Sequence, residues 1–177
     1  MASRFKSGSV EITEGVGEVL GHELGAGCLV CLSGELGSGK TALVRGLARG
    51  LGVEDVPGSP SFALMNEYAG RVPLYHFDAW MRGREAALLS EGAGEYLDGP
   101  GVAVIEWAER VGELLPRPHL LVRLGHLGPE ERSIELALVE GETPGQGARS
   151  ARECLLRAKT AAEGASGLVE LGSEAPR

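Results

Sequence analysis

Five consecutive apolar positions, Cys28-Leu29-Val30-Cys31-Leu32, read as a strand buried on both faces of a sheet. Val102–Glu106 repeats the pattern and closes on an acid. Phe62–Tyr68 and Leu74–Asp78 read as two more strands joined by a turn near Gly70, and His119–Leu124 as a mostly apolar one. Ser133–Val139 alternates, with Ile134, Leu136 and Leu138 on one face, as in an antiparallel strand with one exposed side. Helical spacing occurs elsewhere. Thr13 reads as an N-cap with Val16, Val19, Leu20 and Leu24 behind it, and Gly25–Gly27 ends that helix. Leu43, Val44, Leu47 and Leu51 mark the core face of a helix over Lys40–Leu51. Glu85–Leu97 reads as helical in part, and Ala108–Leu115 as a short helix stopped by Pro116. The first eight residues read as polar and frayed, and Ser9–Ile12 as a short strand. Beyond Glu140, Gly141–Gly147 has the composition of a linker and Arg149–Glu163 of a modest helix. The order of elements predicts a three-layer α/β fold with a central mixed, mainly parallel sheet and an antiparallel C-terminal strand over residues 1–140, followed by a linker and a helical or disordered tail over 141–177.

Composition narrows the function. The 177 residues suit one domain, 43% hydrophobic and 24% charged, as in an ordinary globular protein. A net charge of −8 gives no global field for gripping nucleic acid, so a role toward RNA is expected to be indirect. The three cysteines are an odd count, and no signal-peptide pattern opens the sequence, which argues against a disulfide framework. Cys28 and Cys31 have C-x-x-C spacing but fall inside the apolar strand, so they read as buried thiols. No apolar run approaches the ~20 residues of a membrane span, and the expected compartment is the cytoplasm.

One of only three lysines sits in the stretch that carries the chemistry, Gly34-Glu35-Leu36-Gly37-Ser38-Gly39-Lys40-Thr41, which fits G-x-x-x-x-G-K-[ST] at every fixed position. With this composition a chance match is roughly a 0.6% event. Triphosphate oxygens need several donors converging from one side. A loop wrapped around the phosphate supplies backbone N–H groups, its glycines allowing the unusual dihedrals. The following helix adds its first N–H groups, through Ala42, and its dipole. The Lys40 ammonium can reach the β- and γ-phosphates, and the Thr41 hydroxyl can ligate Mg²⁺. The loop follows an apolar strand and opens a helix, which makes a P-loop NTPase fold the expectation. A second acid is needed on the Mg²⁺ side. Asp78 and Glu106, each ending an apolar strand, are the candidates, because a carboxylate there is costly to bury unless paired or bound to metal. His76, taken alone, is more often a satisfied core or surface histidine.

Together, Gly34–Thr41, Ser59-Pro60-Ser61-Phe62, Asn66-Glu67-Tyr68, His76-Phe77-Asp78 and Ile105-Glu106-Trp107 resemble the TsaE (YjeE) family, small bacterial ATPases required for threonylcarbamoyladenosine modification of tRNA. The resemblance spans roughly Thr13 to Val139. It implies ATP and Mg²⁺ as ligands, with Lys40 and Thr41 on phosphate and metal. Ser61 would stand where the family usually has threonine in a switch-like segment. Asp78 would be the Mg²⁺-side carboxylate, Glu106 would lie near the metal, γ-phosphate or attacking water, and Trp107 beside the nucleotide or in a partner-facing switch. It also implies TsaD and TsaB as partners, with ATP hydrolysis resetting their complex between turnovers and tRNA contacted only through them. The family commonly continues H-x-D-x-Y-R. Here Trp80 replaces the tyrosine, and Arg82 comes one position later than the family arginine. Two other readings of the loop are a small-molecule P-loop kinase and a nucleotide-gated binding module without catalysis. No Asn-Lys-x-Asp motif is present to read guanine.

Overall fold

The computed structural model describes residues 2–60, 65–80, 93–97, 99–112, 115–141 and 146–171. Its strands are β1 (Ser3–Ser7), β2 (Cys28–Ser33), β3 (Met65–Tyr68), β4 (Leu74–Asp78), β5 (Val102–Glu106), β6 (His119–His126), β7 (Arg132–Val139) and β8 (Val169–Glu170). Its helices are α1 (Val10–Glu23), α2 (Lys40–Gly50), α3 (Ala93–Leu97) and α4 (Gln146–Glu163), with a 3-10 turn at Ala108–Arg110. The strands form one eight-stranded sheet in the order β3-β4-β5-β2-β6-β7-β1-β8. The four central strands, β4, β5, β2 and β6, run parallel. Antiparallel strands flank them on both sides, β3 beyond β4 and then β7, β1 and β8 beyond β6. The expected mixed sheet is therefore present, and its antiparallel part extends beyond the C-terminal strand.

The apolar runs of β2 and β5 are buried on both faces because two hydrophobic layers sandwich them. On one face Val30, Leu32, Val102 and Val104 meet Leu20 of α1, Leu43 and Leu47 of α2 and Leu155 of α4. On the other, Cys31, Tyr75, Phe77, Ala103 and Ile105 pack with Leu97 and Val111. All three cysteines are free and buried, and burial pushes the Cys31 thiol up, which suits the inert role read from the apolar run.

Helices α1 and α2 lie against each other backbone to backbone. A Cβ at Gly46 would sit 1.8 Å from the Glu14 carbonyl oxygen, and one at Gly17 would sit 2.1 Å from that of Leu43. Glycine permits this approach, and it locks α2, which carries the glycine-rich loop at its N-terminus, against α1. Salt bridges from Arg45 and Arg49 to Glu14 cross the same interface.

Four local expectations are corrected. The frayed start is instead strand β1, paired with β7 over Ser3–Ser7, with Phe5 and Ser7 turned inward. The partner lies well over a hundred residues away, so no local pattern announces it. Ser9–Ile12 is not a strand. Ser9 is the N-cap of α1, its hydroxyl accepting from the Ile12 N–H at 3.3 Å. Thr13 lies inside the helix, buried, with its hydroxyl 2.9 Å from that of Ser7. Of the helix expected over Ala108–Leu115, Ala108–Arg110 forms a 3-10 turn and Gly112 stands at positive φ (45°), while residues 113 and 114 lie outside the described ones. Ala151, Leu155, Ala158 and Ala162 form the buried stripe of α4, and β8 adds to the sheet beside β1. Among the described residues no helix is long and apolar enough to cross a membrane.

Candidate functional site

The site forms where the parallel strands end. Beyond Ser33 the chain turns through Gly34, Gly37 and Gly39, all at positive φ (145°, 74° and 103°), and enters α2 at Lys40. Gly34 has no room for a side chain, since a Cβ there would lie 2.2 Å from the Leu124 carbonyl oxygen. The β6–β7 hairpin steadies the loop from outside. His126 Nε2 lies 3.2 Å from the Leu36 carbonyl oxygen, and Arg132 donates to that of Gly37 at 3.2 Å. Neither contact has a signal in the motif, because both come from residues about ninety positions away.

Lys40 is buried, and its ammonium donates to the carbonyls of Gly34 at 2.6 Å and Glu35 at 2.9 Å. It also lies 3.5 Å from the centroid of the Trp107 ring. Burial lowers its pKa, while the charges of Glu106, Glu109 and Asp78 act in the opposite direction. Ser38 Oγ is buried with no hydrogen-bond partner among the described residues. Buried hydroxyls normally have partners, so an orphan donor inside a ring of glycine backbone and one ammonium fits an anion with several oxygens.

Asp78 and Glu106 are register partners at the ends of β4 and β5, and both are 2% exposed. Their surroundings differ. The Glu106 carboxylate accepts from Thr41 Oγ1, which lies 3.1 and 3.2 Å from its two oxygens. On its other side His76 Nε2 lies 2.9 Å away. His76 is wholly buried, and Nδ1 has no partner among the described residues, so Nε2–H is the donating tautomer toward the carboxylate. Asp78 instead accepts from Ser59 Oγ at 2.9 Å and from the Trp80 backbone N–H at 2.7 Å. The fold thus brings Lys40, Thr41, Glu106 and Trp107 into direct contact, with Asp78 one strand further out. Ser61 and Arg82 lie outside the described residues.

Trp107 follows Glu106 with φ 61° and ψ 38°, the one non-glycine residue at positive φ among those described. Such a conformation costs about 1–3 kcal/mol and tends to persist where function requires it. Its ring lies 4.3 Å from that of Trp80, and the Arg110 guanidinium lies 4.5 Å over Trp80. Loop, helix and these rings enclose a cavity of about 410 Å³, which Thr41, Ser59 and Glu106 also line. A larger cavity of about 650 Å³ lies at the opposite end of the sheet, beside Gly27 and Ser150, with no carboxylate in its described lining. The smaller one holds the converging charged groups and is the candidate site.

Acids closing two parallel strands beside a glycine loop that hands its lysine to a helix are the arrangement of the P-loop nucleotide-binding folds, and this chain is a P-loop protein. Residues 7–134 match the model of the family described as threonylcarbamoyl adenosine biosynthesis protein TsaE. The chain belongs to the TsaE family. It is 40% identical over 134 residues to the tRNA threonylcarbamoyladenosine biosynthesis protein TsaE of Treponema pallidum, covering 76% of this chain and 99% of that one. It is 34% identical over 137 residues to the protein of the same name from Bacillus subtilis, covering 77% of this chain and 85% of that one. The crystal structure of Bacillus subtilis YdiB superposes with a TM-score of 0.67 at 30% identity, covering 89% of this chain and 95% of that one.

Proposed function

We propose that this protein binds ATP with Mg²⁺ and hydrolyses it slowly in threonylcarbamoyladenosine modification of tRNA, acting with TsaD and TsaB to reset their complex. The observation that carries the reading is the contact of the P-loop hydroxyl of Thr41 with the buried Glu106 carboxylate, beside the buried ammonium of Lys40. The family and the names of its relatives support the link to tRNA modification.

The residues divide the work as follows. Backbone N–H groups from Gly37 to Ala42 receive the β- and γ-phosphate oxygens, and the orphan hydroxyl of Ser38 gains a partner. Lys40 exchanges the loop carbonyls for phosphate, which an ammonium does readily because the anion is the stronger acceptor. Thr41, Asp78 and Glu106 would hold Mg²⁺, which would supply positive charge to the phosphate chain. Glu106, held by His76, orients the attacking water. With a net charge of −8, contact with tRNA falls to the partners.

The test is ATP turnover by the full chain, alone and with TsaB and TsaD. Turnover should rise with partner concentration, and Lys40→Ala should lose ATP binding. Turnover that stays flat over a wide range of partner concentrations, or ATP binding that survives Lys40→Ala, would refute the reading.

A further inference from the structure

Three cations border the phosphate loop, and each is tethered. Lys40 is held by the Gly34 and Glu35 carbonyls, Arg45 by Glu14 at 3.0 Å, and Arg132 by the carbonyls of Gly128, Glu131 and Gly37. Arg110 makes no hydrogen bond or ion pair with any described residue. Its guanidinium carbon rests 4.5 Å over the Trp80 ring and 5.7 Å from that of Trp107, the indole that also carries the Lys40 ammonium.

We propose that Arg110 is the guanidinium this protein supplies in cis to the γ-phosphoryl group of a bound nucleoside triphosphate. The inference rests on the proposed hydrolysis and adds a catalytic residue to it.

The position suits the role. Arg110 stands four residues after Glu106, on the 3-10 turn that Trp107 caps. It therefore shares the backbone segment carrying the carboxylate that touches Thr41. The charge balance calls for such a group. Glu106, Glu109 and Asp78 all act on Lys40 and Arg45 is paired with Glu14, so a triphosphate brought to this end meets few uncommitted cations. Stacking on a half-exposed indole is a weak tether, and a planar fork with several donors is drawn to the oxygens of a phosphoryl group far more strongly. When phosphate takes Lys40 from the Trp107 ring, that ring loses a cation, and the stack holding Arg110 is free to rearrange.

In the step itself the water oxygen forms a bond to Pγ. The bond from Pγ to the β–γ bridging oxygen breaks, its electron pair leaving on ADP, and the water proton ends on inorganic phosphate. Arg110 donates hydrogen bonds to the equatorial oxygens as their charge grows and transfers no proton.

The test compares the wild-type chain with Lys40→Ala, Arg110→Ala and Arg110→Lys under single-turnover conditions with ATP. Affinity for a non-hydrolysable ATP analogue and thermal unfolding are measured alongside. Arg110→Ala should slow hydrolysis about tenfold or more while analogue affinity stays within about twofold of wild type. Millimolar guanidinium should restore part of its rate, which a structural role would not allow. Arg110→Lys keeps the charge and the stem, so it should fold as wild type and still be slow, because a point charge cannot replace the fork. Wild-type rates in both variants would overturn the assignment, as would a slow Arg110→Ala that also loses analogue affinity in proportion. If the wild-type chain shows no Lys40-dependent hydrolysis, the proposed function itself fails and takes this assignment with it. Normal wild-type hydrolysis with an unaffected Arg110→Ala removes only the role of Arg110.

Discussion

The hydroxyl of Thr41 reaches both carboxylate oxygens of Glu106, at 3.1 and 3.2 Å, joining the first turn of α2 to the end of β5 across 65 positions of sequence. In the proposed function the contact links a hydroxyl on the Mg²⁺ side to the carboxylate proposed to orient water. Glu106→Gln keeps the volume and an acceptor for Thr41 but removes the charge. Nucleotide affinity should stay within severalfold of wild type, while single-turnover phosphate release falls by about 100-fold. Phosphate release at the wild-type rate would exclude Glu106 from activating water.

Trp107 is placed to report on Lys40. The ammonium lies 3.5 Å from the indole centroid, and phosphate should draw it away. In Trp80→Phe, Trp107 is the only tryptophan left. Titration with a non-hydrolysable ATP analogue should change its emission, and adding Lys40→Ala should abolish the change. A flat titration under conditions where calorimetry shows binding would mean that the indole does not sense the lysine.

The interlock of α1 and α2 separates two glycines of similar helical context. Alanine is favoured over glycine by about 0.8–1.0 kcal/mol in a helix. At Gly15, where nothing lies within 4 Å of a Cβ, Gly15→Ala should raise stability by about that amount. At Gly46 the Cβ would meet the Glu14 carbonyl at 1.8 Å, and backbone cannot step aside as a side chain can. Gly46→Ala should lower stability by about 3 kcal/mol and weaken nucleotide binding through displacement of α2. Urea unfolding of both variants measures the contrast.

His119 gives folding a pH dependence of known sign. Burial holds its pKa below the usual ~6.5, Arg117 adds to the lowering, and the contact of Nδ1 with the Pro116 carbonyl at 2.7 Å acts against it. The unfolded chain therefore takes up the proton first as pH falls. The contribution is complete above about pH 6.5 and is lost as pH drops from there through the folded value. The fall in urea midpoint between pH 7.5 and 5.5 should be smaller in His119→Gln than in wild type. An equal fall in both would remove His119 from the acid response.

The residues alone determined the phosphate loop, the strand before it, the helix after it and the two acids at strand ends, because each is a short-range pattern with a local physical cause. Backbone donors need glycines, a buried strand needs an unbroken apolar run, and a helix needs its spacing. Tertiary structure decided everything that depends on distant partners. It made a polar start into β1 by pairing it with β7, and it laid the apolar stripe of α4 on the same core as α1 and α2. It assigned the two acids different neighbours, Glu106 to Thr41 and His76, Asp78 to Ser59 and the Trp80 amide. It also put Trp107 in a left-handed conformation that a non-glycine residue does not advertise, and through that turn brought Arg110 to the Trp80 ring. Sequence spacing specifies which way a strand-end carboxylate sits in its own element, whereas the group it meets depends on the register of the neighbouring strand and the helix packed above it.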